Sequence, residues 1–514
     1  MPKTGAKKFV FILIFLHLAI VVPLAYVLNI WADEASTLYT TQHGFVSAFQ
    51  HAAADEKQAP LYFWVMSLWR MLNGSILFAR LFSAICSLIA IKFFANLSQR
   101  FFEPRPALLA AAFFAFHPFL IWTSLEIRVY SLVILLTVLL MRFFLEGFSN
   151  EFLTEKQGSQ RKGQILFLLT AVISLYSNYY LAFLLLGMFA ALLASCRWRS
   201  ARDYAVVMIV AGVAFLPLVV AVKSQFLINT SGFLAERSLF EGLQFLWRHF
   251  LTFVLPAGLY PYGDGSPILA IRVWIVRFAM VALAFFAFKK RRNLSRLTLI
   301  SAVVVFVTMA GLLAAYFLVG SDYVALRHTS VLFVPLIFFI ASLSSDIFGH
   351  RNGNVRGFSK YAVVAVSLTV LLAFSYSLVT LYPNQAKRGD WARIAEFIRQ
   401  NESPGQPIVI FTTMDALALP FHYEGVNHVY PDEKYFEFEP EAEFGSKNSL
   451  KQQTDFVISE IPASADMIWL AVNEKCLITE ACDPLENFVQ ANYTIEKEQD
   501  FYLEKVFLLK KKQQ

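Results

Sequence analysis

The sequence predicts an α-helical polytopic membrane protein with a small α/β domain outside the membrane, and three observations carry that prediction. Of 514 residues, 57% are hydrophobic and only 16% charged, with a mean hydropathy of +0.54. Soluble domains carry about 45–50% apolar and about 25% charged residues, so a soluble enzyme is excluded. Apolar runs long enough to enter a bilayer recur from Phe9 to about residue 381. After Pro383 those runs stop and charged residues return.

A helix needs about 20 apolar residues to cross the hydrocarbon core. Phe9 to Ile30 meets this after the basic Lys3, Lys7 and Lys8. It is longer than the apolar stretch of a signal peptide, and no small-residue cleavage site follows before Trp31, so it reads as a retained first span. Further runs lie near 75–97, 107–124, 126–145, 165–178, 179–195, 205–222, 268–288, 298–318, 329–344 and 361–381, about eleven spans in all. Pro60 to Leu72 is too short to cross and reads as a helix lying along the surface.

Basic residues collect in short loops that stay in the cytoplasm. Here every second loop is basic: Arg100 and Arg105; Lys156, Arg161 and Lys162; Arg197, Arg199 and Arg202; Lys289 to Arg292 with Arg296; and Arg351, Arg356 and Lys360. The net charge of +7 therefore belongs to membrane topology and gives no reason to expect a nucleic-acid partner. The N-terminus is expected in the cytoplasm. The loops at 31–74, 124–128, 223–267 and 320–328 are expected outside with everything after Tyr382.

Residues 1–382 thus form the membrane domain and 383–514 the outer one. In the latter, Asp390 to Ile398 has apolar residues at helical spacing, Ser403-Pro404-Gly405 breaks it, and Pro407 to Thr412 and Met467 to Val472 read as buried strands. The chain has 4 cysteines, too few for a disulfide scaffold and without zinc-type spacing. Cys476 and Cys482 are close in sequence in a compartment that permits pairing, whereas Cys86 and Cys196 lie in or beside spans.

Ionisable groups at a membrane edge are site candidates by default. The first outer loop holds Asp33 and Glu34 directly after the first span, then Asp55 and Glu56 before Pro60-Leu61-Tyr62. The third span runs into Ser124-Leu125-Glu126-Ile127-Arg128-Val129-Tyr130. Read as helix, this puts Glu126 and Tyr130 on one face and Ser124 and Arg128 on nearly the opposite one, so the segment must border water or protein. A structural ion pair at a tight turn is the plain reading of Glu126. Asp322, Arg327 and His328 precede a late span on the same side. For the arginines the plain reading is snorkelling at the membrane surface.

In that order, the acidic pair, the acid followed by Pro-Leu-Tyr, Ser-x-Glu-x-Arg-x-Tyr, and Arg327 shortly before a span containing Pro335 resemble the GT-C polyprenyl-phosphate-dependent glycosyltransferases. These are the glycosyltransferase family 39-like enzymes, akin to protein O-mannosyltransferases and lipid A aminoarabinose transferases. The resemblance covers about residues 9–345, and Asp390-Trp391 is also similar to bacterial members. It departs at Gln58-Ala59-Pro60-Leu61-Tyr62, where the family has His-Pro-Pro-Leu-Tyr, so that the histidine's role is either absent or displaced to His51 or His43.

The resemblance implies an inverting membrane glycosyltransferase of the bacterial inner membrane. It would move a sugar from a polyprenyl-phosphate donor to a hydroxyl of a lipid, glycan or protein acceptor on the outer side. That chemistry needs a carboxylate base and cations for the departing phosphate. Asp33 suits the base, with Glu34 as the alternative and Asp55 or Glu56 assisting or orienting the acceptor. Arg128 and Arg327, with His328 and Tyr130, suit the phosphate, while Glu126 and Tyr62 support them. No cofactor is expected; four acids in one loop would suit a divalent metal, although no Asp-x-Asp and no paired histidines at helical spacing accompany them. A lipid or glycolipid transporter or flippase is the rival, but it predicts internal repeats that the sequence lacks. A scaffold whose working part is 383–514 is a second rival.

Overall fold

The computed structural model describes residues 3–54, 56, 58–149, 157–230, 238–254, 274, 278, 294–319, 326–348, 370, 372–387, 389–411, 417–430, 455–473 and 483–513. The chain divides into two compact units, Met1–Ala25 with Gly44–Leu381 and Tyr26–His43 with Tyr382–Gln514. The expected span at 268–288, the basic Lys289 to Arg292, Asp55, Asp322 and both Cys476 and Cys482 lie outside the described residues, apart from Trp274 and Phe278.

The first unit is helical. Among the described residues, Gly5–Val27, Ile76–Phe101, Tyr130–Phe148, Trp198–Lys223 and Arg296–Leu318 are long and apolar enough to cross a membrane, and Leu181–Ala194, Ser330–Asp346 and Leu372–Leu381 are shorter apolar helices. The chain is an integral membrane protein. Its outward apolar side chains, Phe11, Phe15, Val206 and Ile209 among them, are what helices facing lipid carry. Small residues bring the helices close: a Cβ on Gly163 would stand 2.9 Å from the Gly147 nitrogen, and one on Gly187 2.8 Å from the Val304 carbonyl oxygen.

One expected span is broken and two neighbouring ones are separated by features that side chains explain. The run at 107–124 is a pair of helices, Pro104–Phe116 and Pro118–Ser124, bent by 48°. Pro118 lacks an N–H and pushes His117 out of helical conformation, to φ −61° and ψ 125°. His117 Nδ1 then accepts from the Phe119 N–H at 3.1 Å and caps the second helix. The runs at 165–178 and 179–195 are two helices as expected, Gln157–Ser177 and Leu181–Ala194. Between them Asn178 Oδ1 accepts from the Tyr180 N–H at 3.0 Å.

The stretch at 31–74, expected as the first outer loop, carries the helices Ala32–Thr40, Phe45–Ala54 and Leu61–Arg70. The last is the helix expected at 60–72; it buries Tyr62, Phe63, Met66 and Ser67 and exposes Leu68. The stretch at 223–267, expected as an outer loop, carries the end of helix Val219–Thr230 and helix Leu239–Val254.

In the second unit, a helix at Trp391–Asn401 buries Trp391, Ile394, Ala395 and Ile398, the spacing of one helix face. The sheet strands are β1 (Ile408–Phe411), β2 (Val429–Tyr430), β3 (Met467–Asn473), β4 (Tyr493–Phe501) and β5 (Glu504–Lys511), in the order β2-β1-β3-β5-β4. β1 runs parallel to β2 and β3, and β5 antiparallel to β3 and β4. Val409, Phe411, Ile468, Leu470, Leu485 and Leu509 form its core. β4 is a charged, exposed edge strand, a composition that discourages pairing with other chains and hides the strand from hydropathy.

Candidate active site

In the first unit the site is built on residues 125–129, which join helix Pro118–Ser124 to helix Tyr130–Phe148 and are not helical. The helical-face reading of Glu126 and Arg128 is therefore corrected: both side chains are buried, as are Ser124 and Tyr130. A broken helix in an apolar bundle leaves backbone groups that need partners. Here hydroxyls supply them. Ser83 donates to the Glu126 carbonyl at 2.6 Å, Ser131 to the Thr123 carbonyl at 2.7 Å, and Ser124 to the Leu120 carbonyl at 2.6 Å. Ser87 and His17 meet the Ser124 hydroxyl at 2.7 and 3.2 Å. The apolar residues Leu125, Ile127 and Val129 made the expected loop at 124–128 look helical.

The turn presents Arg128 to Glu56. Arg128 Nη1 donates to Glu56 Oε2 at 2.8 Å, with side-chain exposures of 6% and 4%. Glu56 stands just past helix Phe45–Ala54, where its N–H donates to the His51 carbonyl at 3.0 Å. Gln58, at the position where the family has histidine, donates to the same Glu56 oxygen at 3.4 Å. Gln225 Nε2 donates to the Ala53 and Gln58 carbonyls at 3.1 and 3.4 Å and so clamps both ends of this turn. Two carbonyls can only accept, which fixes the amide's orientation.

Beside this pair, Tyr130 stacks on Trp122 with ring centroids 5.9 Å apart and lies 6.3 Å from the His328 ring, which stacks on Tyr180 at 5.8 Å. Arg327 adjoins His328 in the turn before helix Ser330–Phe348. Tyr62 is buried with its ring edge-on to Phe82 at 6.1 Å. Thus Glu56 meets Arg128, and Tyr130 meets His328.

In the second unit, Asp33 and Glu34 occupy the first turn of helix Ala32–Thr40, where carboxylates suit the positive end of the helix. Asp33 is partly exposed. Glu34 is buried and paired with Lys387 at 2.8 Å, the side-chain exposures being 0% and 2%. Asn29 grips Lys387 by the backbone, donating to its carbonyl at 3.1 Å and accepting from its N–H at 2.8 Å. The Ile30 N–H donates to His422 Nε2 at 3.1 Å. His43 contacts its neighbours Gln42 and Tyr39. Sequence reading passed over Gln225, Tyr180, Asn29, Lys387 and His422; of these only Lys387, which with Arg388 forms the first cationic pair after the last apolar run, carried any signal. Among the described residues no three His, Cys, Asp or Glu side chains are gathered as a metal set requires.

Residues 57–222 match the dolichyl-phosphate-mannose-protein mannosyltransferase family. No curated protein matches the chain. Among solved structures, ArnT from Cupriavidus metallidurans bound to undecaprenyl phosphate is 13% identical, with 98% of each chain covered and a TM-score of 0.57. The Archaeoglobus fulgidus oligosaccharyltransferase tethered to an acceptor peptide is 15% identical, covering 100% of this chain and 74% of that one, with a TM-score of 0.53. The fold is therefore the GT-C fold of membrane glycosyltransferases.

Proposed function

We propose, from the premise that this chain is a GT-C membrane glycosyltransferase of the family 39-like kind, that it moves a sugar from a polyprenyl-phosphate carrier to an acceptor hydroxyl. The acceptor is an envelope lipid, glycan or protein, and the anomeric carbon is inverted. The observation that carries this reading is the buried Glu56–Arg128 pair on a non-helical turn between apolar helices. A guanidinium has five N–H donors in a planar fork, enough to hold a carboxylate and a phosphate oxygen together. Glu56 would orient that fork before the donor arrives, so little reorganisation accompanies the reaction. Arg327, His328 and Tyr130 would complete the phosphate site, with Glu126 and Tyr62 in support.

In the reaction the acceptor oxygen attacks the anomeric carbon as Asp33 takes its proton. The bond from that carbon to the phosphate oxygen breaks on the opposite face, and polyprenyl phosphate leaves with the electron pair. Glu34, Asp55 and Glu56 are the supporting acids. We place Asp33, Glu34 and residues 383–514 on the outer side of a bacterial inner membrane and the N-terminus in the cytoplasm, because the basic loops alternate along the sequence. ArnT in complex with undecaprenyl phosphate supports the donor class, and the oligosaccharyltransferase with its tethered acceptor peptide supports transfer to a separate acceptor.

The test is sugar transfer in proteoliposomes from polyprenyl-phosphate sugars to a panel of envelope acceptors, read by mass analysis. Transfer that disappears in a folded Arg128→Ala protein is expected. Movement of the lipid across the bilayer with no transfer to any acceptor would instead establish the transporter reading.

A further inference from the structure

The second unit holds a buried ion pair whose lysine has no part in the proposed reaction. Glu34 and Lys387 are separated by most of the chain and meet at 2.8 Å, both essentially inaccessible. Burying two charges costs several kcal/mol per ion, and a hydrophobic pair of similar volume is often as stable or more so. Stability alone is thus a weak reason for the pair, and its surroundings suggest another. The Lys387 backbone is held on both N–H and C=O by Asn29, so its side chain starts from a fixed point. Glu34 follows Asp33, and its N–H donates to the Trp31 carbonyl at 2.9 Å in the first turn of helix Ala32–Thr40. The Asp33 carbonyl accepts from the Thr37 hydroxyl at 3.2 Å within the same helix. His422, from the sheet-bearing part of the unit, takes the Ile30 N–H just upstream.

We propose that Lys387 is a positioning residue. By anchoring Glu34 it fixes the first turn of the helix and so the direction of the adjacent Asp33 carboxylate. The segment from Tyr382 onward is then a working part of the acid site. The inference rests on the reading of Asp33 as the base.

The experiment uses the full-length protein in detergent or proteoliposomes. Lys387→Met should lower kcat about 10- to 100-fold, the scale of a small misplacement of a reacting group. The donor KM should change little, because phosphate binding is assigned to Arg128. Lys387→Arg should recover part of the loss. The double variant Lys387→Met/Glu34→Met separates the two roles. It removes both buried charges, so Tm should return to the wild-type value while kcat stays depressed at least tenfold. A double variant with wild-type Tm and kcat within twofold of wild type would overturn the inference. Failure of the Asp33 reading shows separately, as near wild-type turnover in Asp33→Asn. In that event amide exchange over residues 32–40 decides: faster exchange in Lys387→Met supports the positioning role, and unchanged exchange overturns it.

Discussion

The two acid–cation pairs of the molecule, Glu56–Arg128 in the first unit and Glu34–Lys387 in the second, have the same 2.8 Å separation and nearly the same burial. Each joins a first-segment acid to a distant cation. They differ in what the cation can do next. Arg128 brings a planar fork able to serve two oxyanions, and it sits on an irregular turn held by hydroxyls. Lys387 brings a compact charge on a backbone that Asn29 holds from both sides. The first arrangement suits exchange with a ligand and the second suits fixed support, so identical geometry need not mean identical work.

The largest expected effect lies outside both pairs and sets the scale for them. Asp33→Asn keeps the shape and removes the basicity of the proposed base, and turnover should fall by about 10²–10⁴-fold while donor binding survives. Arg128→Ala should come next, lowering donor affinity together with rate. It also leaves Glu56 buried beside nothing positive from that arginine, and breaking such a pair costs about 3–5 kcal/mol of stability, visible as a lower Tm. Arg128→Lys should restore the charge but only part of the affinity. If Glu34→Gln weakened donor binding as strongly as Arg128→Ala, the contrast between the pairs would be gone.

Gln225→Leu sharpens the same contrast at smaller cost. It removes the amide that clamps the ends of the Glu56 turn and leaves two carbonyls short of a donor, worth about 1–3 kcal/mol by denaturation or in transfer efficiency. Donor KM should rise, because the arginine's orienting carboxylate loosens. The smallest effect is expected at Glu396, a fully exposed carboxylate on helix Trp391–Asn401. Hydrogen bonds from Arg399 and then Gln400 hold its acid form below the usual range. Whatever it contributes is present at neutral pH and lost as pH falls through that lowered value. Solvent screening makes the contribution negligible, so Glu396→Ala should leave Tm and turnover unchanged.

How much was legible follows from the range of the interactions involved. Phe9 to Ile30 and the run at 75–97 correspond to the long apolar helices Gly5–Val27 and Ile76–Phe101, because such a helix announces itself by residues adjacent in sequence. The loop expected at 124–128 lies at 125–129, but its non-helical course was not legible, since Ile127 and Val129 continue the apolar pattern and the hydroxyls that stabilise it come partly from Ser83 and Ser87 on another helix. Pro118 was a visible breaker whose consequence, a bend of 48°, depended on His117 folding back to cap the next helix. In the second unit β1 and β3 were legible as apolar runs, whereas the charged β4 was not, because its strand character comes from pairing with β5.

Composition was enough to reach a membrane-embedded chain, since transfer free energy is a property of residues taken one segment at a time, and the order of acids, arginines and Pro-Leu-Tyr carried the resemblance to the GT-C enzymes. Which acid meets which cation was decided only in three dimensions. Glu56 finds Arg128, Glu34 finds Lys387, and Gln225 reaches back to residues 53–58. An ion pair or a clamp is a relation between positions far apart in the chain, and its energy depends on burial that no local pattern records.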